Sequence, residues 1–119
     1  MLNVYLRFLC LVEVLDRSIC IHSKLDEVSK KLLEVIAAKH QQGKTMTVTD
    51  ALIMRQIASP ATIHRKLYFL LETGWIDLIF KGKNRRTKYL LPTVAANEYF
   101  EQLDLLMEQA SKSIQPSLD

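Results

Sequence analysis

The spacing of apolar residues predicts several helices and one hairpin. Near the amino terminus, apolar side chains surround most of a helical wheel over residues 4–15, which favours a helix over about residues 1–21. A short apolar run fits a β-strand as well, and this alternative stays open from the pattern alone. A helix that is apolar on more than one side needs more than one packing surface, and a second copy of the chain is one such surface.

Two further helices are predicted before the middle of the chain. Residues 26–41 carry an apolar stripe at helical spacing, and Gly43 follows as a carboxyl-terminal stop. The β-prone residues 45–48 predict a strand with a single bridge. Thr49 and Asp50 then predict the N-cap of a short helix over residues 51–57.

The clearest helix start in the sequence lies at Ser59. Serine is a favoured N-cap, and Pro60 loses no hydrogen bond at the first helical position, where its missing N–H would have had no partner. The helix is predicted over residues 61–72, and Gly74 stops it. Its apolar side comprises Ile63, Leu67, Leu70 and Leu71.

A β-hairpin is predicted after this helix. Residues 75–80 and 87–91 are rich in aromatic and branched side chains, and the polar residues between them contain Gly82 and form the tip. Pro92 is expected to end the pairing because it has no N–H to donate. Thr93 is expected to cap a last helix over residues 94–113.

Composition and charge indicate an ordered, single-domain protein with a basic middle. The 119 residues are 49% apolar and 24% charged, with three Gly and three Pro, which argues against disorder. The net charge is only +3, but residues 59–92 hold seven bases and two acids, whereas residues 93–119 hold five acids and one base. This asymmetry indicates a face for an anionic partner, and scattered solvated charges are the competing interpretation.

Cysteine usage and the apolar start fit a cytoplasmic protein. Cys10 and Cys20 lack metal-ligand spacing and are expected to be small buried hydrophobes in a reducing compartment. The first apolar segment is interrupted by Arg7 and Glu13, which argues against both a signal sequence and a membrane span.

The sequence contains no recognisable enzyme motif. A nucleophile elbow, a phosphate-binding loop and an HExxH metal motif are all missing from it. The three histidines are far apart, and His22 and His40 are expected at the surface near helix ends. We therefore predict no catalytic residue, no metal site and no cofactor.

The order of two short helices, a basic hairpin and a following helix is typical of a winged helix-turn-helix. An α-helix is about 10–12 Å wide and fits the major groove of DNA. If the apolar side of the helix over residues 61–72 faces the core, the 100° step per residue turns the opposite edge outward. The expected recognition residues are Ser59, Ala61, Thr62, His64, Arg65, Lys66 and Tyr68.

The basic hairpin tip predicts a second contact with DNA. An arginine in a narrow minor groove gains from the enhanced negative potential there, and lysine contacts with phosphates fix the register without reading sequence. A solvated basic edge is the competing interpretation of the tip alone. The expected wing residues are Lys81, Lys83, Asn84, Arg85, Arg86 and Lys88.

Four short stretches carry a family resemblance. They are residues 59–65 (SPATIHR), 71–76 (LETGWI), 84–86 (NRR) and 91–93 (LPT). Together they make residues 47–100 resemble the DNA-binding core of the multiple-antibiotic-resistance-regulator (MarR) family. Arg86 stands at the family's wing arginine, Asn84 stands where aspartate is usual, and Pro92 is inserted in the Leu-Thr step. The resemblance implies a homodimer built from the terminal helices.

The combined prediction is a mainly α-helical protein with a small antiparallel β-hairpin. Residues 23–92 are expected to form the winged helix-turn-helix, residues 1–22 a dimerisation helix, and residues 93–119 a carboxyl-terminal helix and tail. The predicted function is sequence-specific binding of double-stranded DNA by a homodimer that regulates transcription at the nucleoid, with no membrane partner and no effector identified. Two alternatives remain, a winged-helix module for protein–protein contact and a plasmid or phage replication-associated DNA-binding protein. The expected dimer residues are Leu6, Leu9, Leu103 and Leu106.

Overall fold

The computed structural model describes residues 3–19, 25–83 and 85–112. The elements in these residues are α1 (Val4–Ile19), α2 (Glu27–Gln41), α3 (Val48–Leu52), α4 (Pro60–Glu72), β1 (Ile76–Ile79), β2 (Tyr89–Pro92) and α5 (Val94–Lys112). The chain forms two compact units. One is Leu25–Asn97, and the other combines the described residues of Met1–Lys24 and Glu98–Asp119. In the described part of the chain, no helix is long and apolar enough to cross a membrane.

The amino-terminal apolar segment is helical, so the β-strand alternative for residues 4–15 is wrong. The side chain of Asn3 caps α1, because its Oδ1 accepts hydrogen bonds from the backbone N–H groups of Tyr5 (2.8 Å) and Leu6 (3.2 Å). The predicted α2 is confirmed, with Asp26 as its N-cap. The predicted α5 is confirmed over Val94–Lys112, and Thr93 caps it by accepting from the backbone N–H of Ala96 at 3.2 Å.

The third helix begins earlier than predicted, so the N-cap assignment to Thr49 and Asp50 is wrong. Thr47 is the N-cap, and it forms a capping box in which each partner accepts from the other's backbone N–H at 3.0 Å. Asp50 supplies the second side chain of this box from inside the first turn. The helix then ends at Leu52 and not at Ile57, and residues 55–57 form a turn.

The helix α4 passes directly into β1 through a tight reversal. The backbone N–H of Trp75 donates to the carbonyl of Leu70 (2.9 Å), and that of Gly74 donates to the carbonyl of Leu71 (3.3 Å). This pair of bonds is a Schellman motif, which satisfies carbonyls that the end of a helix leaves open. Gly74 has φ +82°, a conformation that costs little only for glycine. The sequence Glu-Thr-Gly-Trp therefore places the hairpin immediately after α4.

The two strands of the hairpin pair antiparallel, with Ile76 opposite Pro92 and Ile79 opposite Tyr89. Pro92 is the last residue of β2, so the pairing ends there as expected, although the strand itself ends one residue later than the predicted Leu91. Pro92 can take part in the ladder because of the direction in which its nitrogen points. Leu90 donates to Met46, on the side away from β1, and Thr93 donates to Trp75 next to β1. Because successive residues alternate between the two sides, the nitrogen of Pro92 points away from β1 and its missing N–H breaks no bond of the ladder.

The strands are shorter at the tip than the sequence predicts, since β1 ends at Ile79 and β2 begins at Tyr89. On its other side β2 meets residues 46–48 through one isolated bridge between Thr47 and Tyr89, which confirms the predicted single-bridge strand. The backbone N–H of Val48 donates to Lys88 at 3.0 Å and strengthens this contact. The base of the wing is therefore held from both sides.

An apolar core underlies these elements in the unit Leu25–Asn97. Full burial of a large aliphatic side chain contributes about 1.5–3 kcal/mol, so this core supplies the main driving force for the unit. It also fixes which side of α4 remains outside. The fully or almost fully buried side chains include Leu32, Leu33, Ile36, Met46, Ala51, Ile63, Leu67, Leu70, Trp75, Ile76 and Leu90.

The terminal helices form the second unit. The hydroxyl of Tyr99 on α5 donates to Asp16 on α1 at 2.8 Å, and Tyr99 and Ala110 are buried. Cys10 is exposed, so the expectation that it is a buried hydrophobe is wrong. The helix α1 has apolar residues on several sides, and one of those sides remains open with the thiol on it. Cys20 lies outside the described residues.

Candidate nucleic-acid interface

The exposed edge of α4 consists of residues that follow one another at intervals of three or four. Ala61, Arg65, Tyr68 and Glu72 are all exposed, and Tyr68 is 59% exposed. The opposite side carries Ile63, Leu67 and Leu70, which are at most 4% exposed. The 100° step therefore places Ala61, Arg65 and Tyr68 outward as predicted. His64 is also exposed, on the flank of this edge.

Three polar side chains in the first two turns of α4 are joined by hydrogen bonds. The hydroxyl of Ser59 accepts from the backbone N–H of Thr62 at 3.3 Å and donates to the hydroxyl of Thr62 at 3.0 Å. One terminal nitrogen of Arg65 donates to that same Thr62 hydroxyl at 3.3 Å. Ser59 and Arg65 are exposed, and Thr62 is half-buried. The N-cap of α4 is therefore linked through Thr62 to the guanidinium group.

Lys66, which the sequence places among the recognition residues, is engaged within the protein. Its ammonium group lies 2.8 Å from a carboxylate oxygen of Asp26, and the two side chains are 30% and 45% exposed. Asp26 is also the N-cap of α2 and accepts from the backbone N–H of Ser29 at 2.8 Å. The pair thus joins α4 to the start of α2, and no sequence pattern indicates it because the partners are 40 residues apart.

The environment of Asp26 changes its pKa. Burial alone would raise the pKa of this carboxyl group, but the hydrogen bonds from Lys66 and from the backbone N–H and hydroxyl of Ser29 outweigh burial. The pKa is therefore lower than its ordinary value of 3.8. A carboxylate with a depressed pKa in the folded state stabilises the fold above the unfolded pKa, and this contribution is lost as pH falls through the folded pKa.

We expect Asp26→Asn to lower the free energy of unfolding by less than about 1 kcal/mol at pH 7, because asparagine still caps α2 but cannot pair with Lys66. Asp26→Ala, which also removes the cap, should cost about 1 kcal/mol more. The difference between wild type and Asp26→Asn should shrink below about pH 4. Urea unfolding from pH 3 to pH 7 measures both effects.

The matched control for this prediction is Lys66→Met, which keeps the length of the stem and removes the charge. In the Lys66→Met background, Asp26→Asn should cost less than it does in the wild type, since the ion pair is already broken. Strict additivity of the two substitutions would show that the pair contributes nothing to stability.

The wing, residues 81–88, carries several basic side chains around a turn that contains Gly82. Gly82 has φ +63° and provides the left-handed residue at the tip. The ammonium group of Lys81 lies 4.5 Å from the centre of the Tyr89 ring, and the guanidinium of Arg85 lies 5.6 Å from the centre of the Phe80 ring. Both distances are in the range of cation–π interactions, which limit the movement of the two side chains.

The other basic residues of the wing, Lys83, Arg86 and Lys88, are exposed. Asn84 lies outside the described residues, so the expectation that it belongs to the contact surface stays a prediction. In the sequence, no aspartate or glutamate occurs between Asp77 and Glu98. The wing and the strand that follows therefore form a stretch with positive charge only.

The expected dimer residues differ in exposure. Leu6 and Leu9 on α1 are 59% and 41% exposed, whereas Leu103 and Leu106 on α5 are half-buried. The two α5 residues share a helical stripe with the buried Tyr99 and Ala110, at intervals of three or four, so part of their surface is already covered within the chain. In the described residues, six more large apolar side chains of the terminal helices are exposed, and none of them is among the expected dimer residues. These are Val4, Tyr5, Val14, Val94, Leu105 and Met107.

The histidines offer no metal site in the described part of the chain. His40 is exposed near the end of α2, as expected, and its Nδ1 lies 2.9 Å from the hydroxyl of Thr45. Across residues 3–19, 25–83 and 85–112, no group of three His, Cys, Asp or Glu side chains is arranged to hold a metal ion. His22 lies outside these ranges.

Solved structures show that the fold is a known one. The chain is similar to the heme sensor protein PefR from Streptococcus agalactiae in complex with heme, with a TM-score of 0.55 and 15% identity over 100% of this chain and 83% of that chain. It is also similar to PefR in complex with heme and carbon monoxide, with a TM-score of 0.51 and 17% identity over 98% and 82% of the two chains. No family model matches the sequence, and no curated protein matches it. The predicted fold class, a mainly helical winged helix with a small antiparallel hairpin, is confirmed.

Proposed function

We propose that the protein is a transcriptional regulator of the MarR type that binds double-stranded DNA in a sequence-specific manner as a homodimer. The observation that carries this proposal is the outward edge of α4 with Arg65, followed after one tight turn by a wing whose charged residues are all basic. Both belong to the compact unit Leu25–Asn97. The similarity in fold between the whole chain and a heme sensor supports a regulatory role.

The edge of α4 suits the major groove. A helix about 10–12 Å across fits a groove of about 12 Å, and the small residues Pro60 and Ala61 at its start let the backbone come close to the base edges. Glu72 is exposed at the far end of the same edge, where its carboxylate would repel phosphates. The first two turns of α4, with Thr62 and Arg65, are therefore the part that reads bases.

The wing suits the minor groove and the phosphates beside it. Lys81 and Arg85 are held over aromatic rings, so less side-chain entropy is lost when they bind. Arg86 is proposed to enter the minor groove, and Lys83 and Lys88 to contact phosphates. This charge favours DNA over the alternative of a winged-helix module for protein–protein contact, because such a module has no need of a hairpin tip whose charged residues are all basic.

The homodimer is proposed to form through the terminal helices. Leu6 and Leu9 are large apolar side chains that no part of the described chain covers fully, and they lie three residues apart on one side of α1. A two-fold dimer would present two copies of α4 to half-sites roughly 34–36 Å apart, one turn of DNA. The operator is therefore expected to be a pseudo-palindrome.

Selection of bound sequences from random duplexes at 50 mM and 200 mM salt tests this function. We expect an enriched pseudo-palindromic sequence and a fall in affinity of about a thousandfold or more if six phosphates or more are contacted. Failure to bind any duplex at 50 mM salt would contradict DNA binding. Binding without an enriched sequence would contradict the sequence-specific role and leave an architectural one.

A further inference from the structure

The hydrogen bonds at the start of α4 point to the base that the helix reads. We infer that each half-site contains a guanine recognised by Arg65, and that Thr62 is a positioning residue that holds the guanidinium for this contact. The inference rests on the proposed function and deepens it. Its basis is the series Ser59 to Thr62 (3.0 Å) and Arg65 to Thr62 (3.3 Å) on the outward edge of the helix.

The donors left on Arg65 match the edge of guanine. A guanidinium group has five N–H donors and no acceptor, and Thr62 takes one of them. Guanine presents two acceptors side by side in the major groove, N7 and O6, whereas adenine presents N7 beside an N–H donor. Two N–H groups of the guanidinium can therefore donate hydrogen bonds to guanine at the same time. On adenine one of them would face an N–H group, which is also a donor. Arg65 is also exposed, which leaves it accessible to a base.

The position of Thr62 explains how the fork is oriented before DNA arrives. Thr62 is β-branched and half-buried, so its side chain has few rotamers. Its hydroxyl accepts from Ser59, which is itself fixed as the N-cap of α4. A free arginine loses considerable rotamer freedom on binding, and a hydrogen bond from a fixed hydroxyl reduces that loss. Thr62 thus acts through Arg65 and need not touch a base.

Sequence selection with matched variants tests the inference. Thr62→Val keeps the shape and removes the hydroxyl, Thr62→Ser keeps the hydroxyl, and Arg65→Ala removes the fork. For the wild type we expect a guanine in each half-site. For Arg65→Ala we expect no preference at that position. For Thr62→Val the preference for guanine over adenine should fall about threefold to tenfold, the effect of one hydrogen bond, and Thr62→Ser should restore it.

A duplex in which 7-deazaguanine replaces that guanine gives a second readout, because it lacks the N7 acceptor. Wild-type affinity for this duplex should drop, and Arg65→Ala should bind the two duplexes equally. Thermal unfolding of every variant checks that each remains folded.

The outcomes separate the inference from the proposed function. If duplexes are bound specifically but no guanine is enriched, or if Thr62→Val discriminates as well as the wild type, the inference fails and the proposed function stands. If no duplex is bound at all, both fail.

Discussion

Leu6→Glu with Leu9→Glu is expected to convert the protein to a monomer and to lower its affinity for a complete two-half-site operator by about 10²–10⁴-fold. The reason is that a dimer binds its second half-site from a high effective concentration, which a monomer loses. Two carboxylates placed on an interface that excludes water would each have to be desolvated without a partner. Sedimentation velocity gives the mass, and fluorescence anisotropy with the selected duplex gives the affinity.

The control for this prediction is Val94→Glu, outside α1. Val94 is 75% exposed, more than either leucine, and it belongs to the unit Leu25–Asn97. It should leave both the mass and the affinity unchanged. The double variant should still bind a single half-site as weakly as one wild-type subunit does. A dimer that persists in the double variant would contradict the assignment of Leu6 and Leu9 to the interface.

Neutralisation of the wing should produce the second large effect. We expect Lys83→Gln, Arg86→Gln and Lys88→Gln together to weaken binding to specific and random duplexes alike, by roughly a hundredfold at 150 mM salt. This figure follows from counterion release, in which each bound cation, at a phosphate or in the minor groove, contributes about fivefold at that salt concentration. The slope of log affinity against log salt should become shallower by about three. Titrations at four salt concentrations measure the slope.

An equal change in net charge elsewhere serves as the control. Lys31, Lys39 and Lys112 are exposed on α2 and α5, and their replacement by glutamine also removes three positive charges. This variant should keep most of the affinity and nearly all of the slope. Equal losses in the two triple variants would show that only overall charge matters, and the wing would then have no specific part in binding.

The sequence was most informative where local signals determine local structure. The start of α4 follows from the side-chain oxygen of Ser59 and the ring of Pro60, and its end follows from Gly74, all within one short segment. The outward edge of α4 also followed, because a helix has a fixed angle per residue and its apolar side must be buried. For the same reason Arg65 and Tyr68 could be placed at the surface from spacing alone.

Prediction failed where two local signals compete or where the partner is distant. Thr47 and Thr49 can each cap a helix. Thr47 is the cap because its side chain and that of Asp50 each accept a hydrogen bond from the other residue's backbone N–H group. The ion pair between Lys66 and Asp26 forms because α4 packs near α2, and the sequence of neither segment alone indicates this packing. Lys66 was therefore predicted to be a recognition residue.

The outer edge of the hairpin, strand β1, affects how readily the protein aggregates with other chains by strand pairing. In the described residues β1 pairs with β2 on one side only, and an open edge strand is a template on which a foreign strand can add. This edge is four residues long, and Asp77 is exposed on it. An incoming strand would gain few hydrogen bonds and would meet a carboxylate. At high local concentration the hairpin is therefore a poor template for β-aggregation.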